Sequence, residues 1–198
     1  MQKKKKEISD AIMAHAEQEF YEHGFEKASI RRINKSSGTT IGNFYNYFDS
    51  KEALLESLVA GEHEKFIAFM SQHEHEGNQL ATEAFVNSKD FMKNLPEIIS
   101  GLLPDFNMRF VILIEGCKGT KYENVHNNLV NLISEHIAEH GEKSGVKISS
   151  EIGRLLAVHF LDGIVNIVKS HKNDLLARNK LITEFLLFYF ISYYDRGK

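Results

Sequence analysis

Several residue types that would suggest a secreted, membrane-bound or strand-rich protein are scarce in this chain. Its 198 residues include a single cysteine, two prolines and no tryptophan. One cysteine excludes an internal disulfide, and so few prolines favour helices over a strand-and-turn architecture. The longest strongly apolar run, Phe185 to Ile191, is too short to span a bilayer. The lysines that follow Met1 lead into polar sequence, so we predict no secretory signal and expect a cytoplasmic protein.

Neither sign of charge dominates the chain. The formal net charge is −3, and residues 1–50 carry eight basic and seven acidic side chains, which leaves −4 for the rest. This asymmetry has the sign expected of an N-terminal nucleic-acid-binding domain, but it is small. Charge alone therefore does not predict DNA binding.

Helical periodicity is the main pattern that the sequence does contain. We expect the first helix to end at Gly24, since glycine adopts the left-handed cap conformation without steric cost, and Phe25 to pack back after it. This helix is predicted from an apolar stripe of period four, formed by Ile8, Ile12, Ala16 and Phe20.

Two short helices are predicted next. Ser29 is a suitable N-cap for a helix over 30–36 with Ile33 facing inward, and Gly38 supplies a turn. Thr40 then caps a third helix that runs to about residue 45 or 47. Two helices of about two turns joined by a short glycine-containing turn are typical of a helix-turn-helix.

A fourth helix is predicted from Ser50 as its cap, starting at Lys51 and extending to about His73, before a polar break over 73–79. With the later segments, the count reaches about nine helices and the predicted fold class is all-α. The later helices are predicted over 80–92, 108–115, 124–144, 150–170 and 175–194, and Pro96 and Pro104 bracket a short piece over 97–103.

Four segments near the N-terminus occur in the order and spacing of a known domain. They read FYEHGF at 20–25, SIRRI at 29–33, SGTTIGNFYNYF at 37–48 and SKE at 50–52. Together they closely resemble the N-terminal domain of TetR-family regulators, over about Glu7 to Leu58. The resemblance implies a three-helix DNA-binding domain, a larger C-terminal helical domain for ligand binding and dimerisation, and a two-fold homodimer.

This resemblance sets the predicted domain boundaries. Residues 1–50 form the DNA-binding domain, with the helix-turn-helix at about 29–48, and the helix from residue 50 links the domains. Residues 51–198 form the effector-binding and dimerisation domain.

The third helix is expected to enter the major groove with its N-terminal residues nearest the bases. Thr40 can place its hydroxyl on a phosphate, and Gly42 permits close approach of the backbone. Ile41 suits a thymine methyl group and Asn43 suits adenine. The predicted DNA-binding residues are Ser29, Arg31, Thr40, Ile41, Gly42, Asn43, Tyr45, Tyr47 and Lys51.

The resemblance supplies further roles. It implies that the hydroxyls of Tyr45 and Tyr47 bind phosphates, that Lys51 clamps the DNA backbone, and that Arg31 reaches a base or a phosphate. The sequence departs from the family pattern at Arg32, where an acidic residue is usual, and at Ala28, where a hydroxyl residue is usual. Arg32 is expected to replace an intramolecular ion pair with a phosphate contact.

Some residues of this region have simpler interpretations. Phe44 and Phe48 fit the core of the small domain better than a DNA contact. The lysines at 3–6 fit equally a disordered solubilising tail and an arm along the phosphate backbone.

The effector site is predicted only in outline. The resemblance implies that an unidentified small molecule binds between residues 80 and 169. An apolar one would suit the aromatic residues there, although such residues at helical spacing usually belong to the core. His136 and His140 share a helix face, but without a nearby cysteine they are interpreted as solvated, so no metal and no cofactor are predicted. The candidates for effector binding are Phe91, Phe106, Phe110, Tyr122 and His126.

The last two predicted helices are apolar around most of their circumference. Such helices need cover on both sides, which a second copy of the chain would provide, unless other helices of the same chain bury them.

We find no nucleophile–base pair, close carboxylate pair or glycine-rich phosphate loop, so no enzyme is predicted. The resemblance to TetR-family regulators thus implies a ligand-responsive repressor that binds a palindromic operator as a homodimer. The alternative is an all-helical ligand-binding or enzyme-like protein that uses the helix-turn-helix only structurally.

Overall fold

The computed structural model describes residues 2–80, 106–143 and 145–194. Within these ranges all regular secondary structure is helical, which confirms the predicted fold class. Residues 81–92 of the helix predicted over 80–92, and the short piece over 97–103, lie outside the described residues. Among the described helices, none has both the length and the apolar composition needed to cross a bilayer. The helices are α1 (Gln2–Lys27), α2 (Ile30–Ser36), α3 (Ile41–Phe44), α4 (Lys51–Leu80), α5 (Met108–Glu115), α6 (Val125–Lys143), α7 (Ser150–Ser170) and α8 (Leu175–Tyr194).

The chain divides into two compact units. The first comprises Met1–Glu64 and Asn107–His126, and the second comprises Lys65–Phe106 and Asn127–Lys198. The first unit thus combines α1, α2, α3 and the start of α4 with α5, which lies much later in the sequence. The predicted functional boundary at residue 50 stays a prediction.

Helix α1 is organised around the predicted apolar stripe. Ile12, Ala16 and Phe20 are completely buried. Gly24 leaves the helical conformation, with φ 66° and ψ 169°, but one more turn follows and the helix continues to Lys27. The predicted interruption of the first helix at Gly24 is therefore confirmed, and the turn up to Lys27 is a short separate piece in which the Ala28 N–H donates to the Gly24 carbonyl at 3.0 Å.

Helices α2 and α3 begin at the predicted caps. The Ser29 Oγ accepts the Arg32 N–H at 3.4 Å, and the Thr40 Oγ1 accepts the Asn43 N–H at 3.2 Å. The bounds of α2 are those predicted, whereas α3 is shorter and ends at Phe44. Beyond Phe44 the chain tightens into turns, in which the Tyr47 N–H donates to the Phe44 carbonyl at 2.9 Å.

Helix α4 starts as predicted but ends later. The Ser50 Oγ accepts the Ala53 N–H at 3.1 Å, which confirms this residue as the cap. The predicted break at 73–79 was wrong, since α4 continues to Leu80. Histidine, glutamate and glutamine in this stretch are polar yet compatible with a helix, and only the pair Gly77 and Asn78 weakens it.

Close packing characterises the second unit, whose helices α7 and α8 have the bounds predicted. Leu161, Ile164 and Leu186 are buried. Gly163 lies directly under the Phe185 ring, so that a Cβ built at this glycine would lie 2.3 Å from the Phe185 Cζ. The two helices therefore approach closely where the glycine leaves room for the aromatic ring.

Candidate DNA-binding surface

The short helices α2 and α3 pack on an apolar centre that leaves one side of α3 exposed. Ile33 and Phe44 are buried, and α2 contacts both α1 and α3. Phe48 is half-buried, with its ring centroid 5.7 Å from that of Phe44. The structure thus places Phe44 in the core, as interpreted from the sequence, and Phe48 at its edge.

The predicted DNA-binding residues of α3 form a continuous exposed surface. Thr40, Ile41 and Gly42 are exposed in consecutive positions at the start of the helix. Among the described residues outside its own helical turn, none comes within 4 Å of a Cβ built at Gly42, so the space in front of it is open to them. A molecule approaching this end of α3 would meet backbone, a hydroxyl group and an apolar side chain.

The Asn43 side chain forms intramolecular hydrogen bonds that the sequence did not predict. Its Nδ2 donates to the Thr39 Oγ1 at 2.7 Å, and its Oδ1 accepts the Asn46 Nδ2 at 3.3 Å. The predicted contact with adenine would therefore require these intramolecular hydrogen bonds to be exchanged for bonds to the base.

The two tyrosines after α3 differ in their surroundings. Tyr45 is exposed over 53% of its surface, and its ring meets Phe44 edge-to-face with centroids 5.2 Å apart. Tyr47 is half-buried, and the Lys5 Nζ lies 5.9 Å from its ring centroid. The lysines at 3–6 belong to the first turns of α1 rather than to an irregular tail. Through its contact with the Tyr47 ring, Lys5 lies at the edge of this surface.

Lys51 makes contacts that the sequence did not predict. Its Nζ donates to the carbonyls of Phe25 at 2.7 Å and Ala28 at 3.3 Å, and it lies 4.3 Å from the Phe25 ring centroid. The ammonium therefore ties the start of α4 to the end of α1. An ammonium has three N–H donors, so a phosphate contact remains compatible with these two bonds.

The neighbouring arginines of α2 have different environments. Arg31 is exposed, as a predicted DNA contact requires. Arg32 instead forms an ion pair with Glu19, in which its Nε lies 2.9 Å and 3.1 Å from the two carboxylate oxygens. The expectation that Arg32 gives up an intramolecular ion pair was therefore wrong, because α1 supplies a buried carboxylate opposite it.

Glu19 is the main residue of this region that sequence reasoning missed. It is 8% exposed, and its Oε1 also accepts the Ser29 N–H at 2.8 Å. A signal was present: Glu19 follows Ala16 by three residues and therefore falls on the apolar stripe of α1. An acidic residue at such a position needs a cationic partner.

Helix α5 packs against α1 within the first unit. The Gly116 carbonyl at its end accepts the Phe25 N–H at 2.7 Å, next to the break at Gly24. An ion pair joins Arg109 to Glu17, with 2.7 Å between Nε and Oε2. Helices α1 and α5 thus share backbone and side-chain contacts.

The candidate effector residues are distributed over both units. Phe106 and Phe110 are buried, while Tyr122 and His126 are half-buried. Phe91 lies outside the described residues. Their role in ligand binding stays a prediction.

No group of three potential metal ligands occurs in the described part of the chain. His136 and His140 form a ring pair, with centroids 4.4 Å apart. Burial raises the pKa of the Cys117 thiol to about 12, although a hydrogen bond with Thr120 opposes the shift. Because the thiolate is scarce at neutral pH, Cys117 is a poor nucleophile and metal ligand.

Comparisons with known proteins agree with this arrangement. The family model described as bacterial regulatory proteins, tetR family, matches residues 12–58. Over 57 residues the chain is 37% identical to the HTH-type transcriptional regulator UidR of Escherichia coli (strain K12), and equally to UidR of Shigella flexneri. The aligned part is 29% of this chain and 29% of each relative, so the similarity spans less than a third of their length.

A solved structure also matches over most of the chain. It is that of the fatty acid degradation regulator FadR from Bacillus halodurans, with 25% identity, coverage of 91% of this chain and 94% of that one, and a TM-score of 0.47. The family match contains α2 and α3. It also contains all nine residues predicted from the sequence to bind DNA, of which Lys51 is the last, at the start of α4. Over residues 12–58, this chain is therefore similar to the TetR family of bacterial regulatory proteins.

Proposed function

We propose that the chain is a homodimeric, ligand-responsive transcriptional repressor that binds a palindromic operator. The observation that carries this proposal is the exposed start of α3, where Thr40, Ile41 and Gly42 follow one another within a TetR-type domain. A recognition helix inserts its N-terminal residues among the base edges of the major groove, and its N–H groups favour nearby phosphates. In this proposal the protein has no enzymatic activity.

Each predicted contact has a defined part. Ile41 contacts a thymine methyl group, while Thr40, Tyr45 and Tyr47 place hydroxyls on the sugar-phosphate backbone. Lys51 directs its remaining N–H toward a phosphate, while its other two N–H groups donate to the carbonyls of Phe25 and Ala28. Ser29, Arg31, Gly42 and Asn43 complete the surface.

Exposed apolar residues on α7 and α8 support the homodimer. Ile152 and Leu155 of α7 are 50% and 51% exposed, and Leu176 and Phe188 of α8 are 83% and 72% exposed. Apolar surface of this kind favours association, and a two-fold axis would place two copies of the same helix pair against each other. Two recognition helices would then lie about 34–36 Å apart on one face of the DNA.

Release by an effector follows if the ligand prefers another arrangement of the two DNA-binding domains. A ligand shifts such an equilibrium only by its differential affinity for the two states. The contacts of α5 with α1 provide a physical connection from the later part of the chain to the DNA-binding helices.

The test is a titration of the DNA upstream of this chain's own gene, at several salt concentrations, with an unrelated fragment of equal length as the control. We expect the double variant Tyr47→Phe, Lys51→Ala to bind more weakly and with a shallower salt dependence, by about 0.9 in the logarithmic slope for each phosphate that the variant no longer binds. Lys147→Ala, an exposed lysine of the second unit, serves as the matched control and should bind like the wild type. Wild-type affinity in the double variant would contradict the assigned contacts.

A further inference from the structure

Three charged side chains from different helices hold residues 25–29, which comprise the last three residues of α1 and the connection to α2. We refer to these residues as the α1–α2 corner. Glu19 comes from α1, Arg32 from α2 and Lys51 from α4. The corner matters because it fixes where α2 begins, and α3 follows α2 after a turn of only a few residues.

Glu19 binds the start of α2 in two ways. Its Oε1 accepts the backbone N–H of Ser29, the N-cap, at 2.8 Å, and the same oxygen accepts the Arg32 Nε at 2.9 Å. With 8% exposure, this carboxylate is largely removed from water. A buried carboxylate is stable only when it is paired and hydrogen-bonded, so its position and that of α2 depend on each other.

The two cations bind carbonyl groups of the corner. Arg32 donates a further hydrogen bond, from its terminal nitrogen, to the Lys27 carbonyl at 2.9 Å. Lys51 donates to the carbonyls of Phe25 and Ala28. The last carbonyls of a helix lack intrahelical donors and carry the negative end of the helix dipole, so cations stabilise this end.

Electrostatics keep the pair ionised. Burial acts to raise the pKa of Glu19, but the hydrogen bonds from Arg32 and Ser29 and the charges of Arg32 and His23 outweigh it, and the pKa is lowered. The Glu19 hydrogen bond in turn raises the pKa of Arg32. At neutral pH the corner therefore contains a charged pair.

We propose that Glu19 and Arg32 are positioning residues for DNA binding, which act through the α1–α2 corner and not through a phosphate. This inference rests on the proposed function. The pair holds α2 in the position that presents α3 to the groove, and loss of the pair lowers the fraction of molecules in that position. Apparent affinity falls in proportion to this fraction.

The sign of the effect of Glu19→Gln separates positioning from simple charge. Removing a negative charge near DNA strengthens binding if only long-range electrostatics act. Positioning predicts the opposite, a loss of affinity. Arg32→Gln should lose about 5- to 30-fold, with the logarithmic salt slope unchanged. The double variant Glu19→Gln, Arg32→Gln should bind no more weakly than Arg32→Gln, because both changes disrupt one interaction.

Arg31→Gln is the matched control, since Arg31 is the exposed neighbour on the same helix. Its removal should make the salt slope shallower by about 0.9 for each phosphate that Arg31 binds. A shallower slope for Arg32→Gln, with stronger binding by Glu19→Gln, would overturn the proposal and make Arg32 a phosphate contact.

Amide hydrogen exchange of the free protein provides a readout that needs no DNA. We expect the Ser29 amide, which donates to Glu19, to exchange faster in both single variants, while buried amides of α7 stay as in the wild type. Unchanged Ser29 exchange in both variants overturns the positioning role. Absence of wild-type binding to any upstream fragment contradicts the proposed function instead, and the exchange result still shows whether the pair orders the corner.

Discussion

The two compact units hold their helices in place by different interactions. In the first unit, α2 and α3 have seven and four residues, and their positions depend on capping hydroxyls and on the charged side chains around the α1–α2 corner. In the second, α7 and α8 have 21 and 20 residues and meet through buried apolar side chains. Helices of one or two turns are not stable by themselves, so α2 and α3 depend on the burial of Ile33 and Phe44 and, in addition, on directional polar contacts.

This difference suits different tasks. A surface that reads DNA must hold several side chains and backbone groups within a fraction of an ångström. Polar contacts have the required directionality, but their strength depends on pH and salt, and the loss of a single donor or acceptor atom removes the contact. Apolar packing tolerates such changes and depends on volume.

The largest effect is expected from removing volume in the second unit. Leu161 is completely buried in α7. Leu161→Ala should lower the free energy of unfolding by about 2–5 kcal/mol, through reduced burial and a remaining cavity. Urea denaturation measures this change. Ile41→Ala is the control in the first unit: its side chain is 43% exposed, and the change should stay within about 0.5 kcal/mol. Equal losses in both variants would remove the contrast between the units.

The next effect concerns the backbone at the break in α1. Gly24 has φ 66° and ψ 169°, a conformation that is almost restricted to glycine. Gly24→Ala should therefore cost about 1–3 kcal/mol. Gly61→Ala is the matched control, because Gly61 lies within α4 and no described residue outside its own helical turn comes within 4 Å of a Cβ built there. It should stabilise the protein by about 0.5–1 kcal/mol. Thermal unfolding of both variants gives the sign of each change.

Local signals in the sequence predicted most of the described helices. Ser29, Thr40 and Ser50 each cap the helix expected of them, because a hydroxyl that accepts a backbone N–H three residues later acts within one turn. The late end of α4 was missed because polarity is not itself a helix terminator. The exposed start of α3 was likewise predictable, since it follows from the cap and the helical period.

Contacts between distant residues were not predictable in the same way. The pairing of Glu19 with Arg32 spans 13 residues, and that of Lys51 with the Phe25 carbonyl spans 26. A basic residue near a DNA-binding helix suggests a phosphate contact, and the sequence does not show that a buried carboxylate or a helix end is closer. Internal partners therefore decide which of the cations remain available for the proposed contacts with DNA.

A smaller effect tests the caps of the first unit. Thr40→Ala removes the hydroxyl that accepts the Asn43 N–H, and we expect a decrease of about 1 kcal/mol in the free energy of unfolding, measured by urea denaturation. Thr40→Ser keeps the hydroxyl and should retain most of the stability and of the operator affinity. If serine behaved like alanine, the threonine methyl group rather than the cap would account for the decrease.

The smallest effect is the pH dependence of the Glu19–Arg32 pair. The pKa of Glu19 is lowered in the folded protein, because its hydrogen bonds and the Arg32 charge outweigh burial. A lowered pKa contributes stability that is complete above the unfolded value, about 4.3, and is lost as the pH falls through the folded value. The stability difference between wild type and Glu19→Gln should thus be constant from pH 7 to about pH 5 and shrink at lower pH.

Urea midpoints at pH 7, 5, 4 and 3 measure this difference. The exposed Glu64 offers a matched substitution, Glu64→Gln, which should leave the midpoint close to that of the wild type throughout. His23 lies 3.9 Å from the Glu19 carboxylate, so His23→Gln tests whether the imidazole contributes to the effect. A Glu19→Gln difference that persists undiminished at pH 3 would mean that shape, and not the charged pair, stabilises the corner; the polar first unit would then resemble the apolar second unit after all.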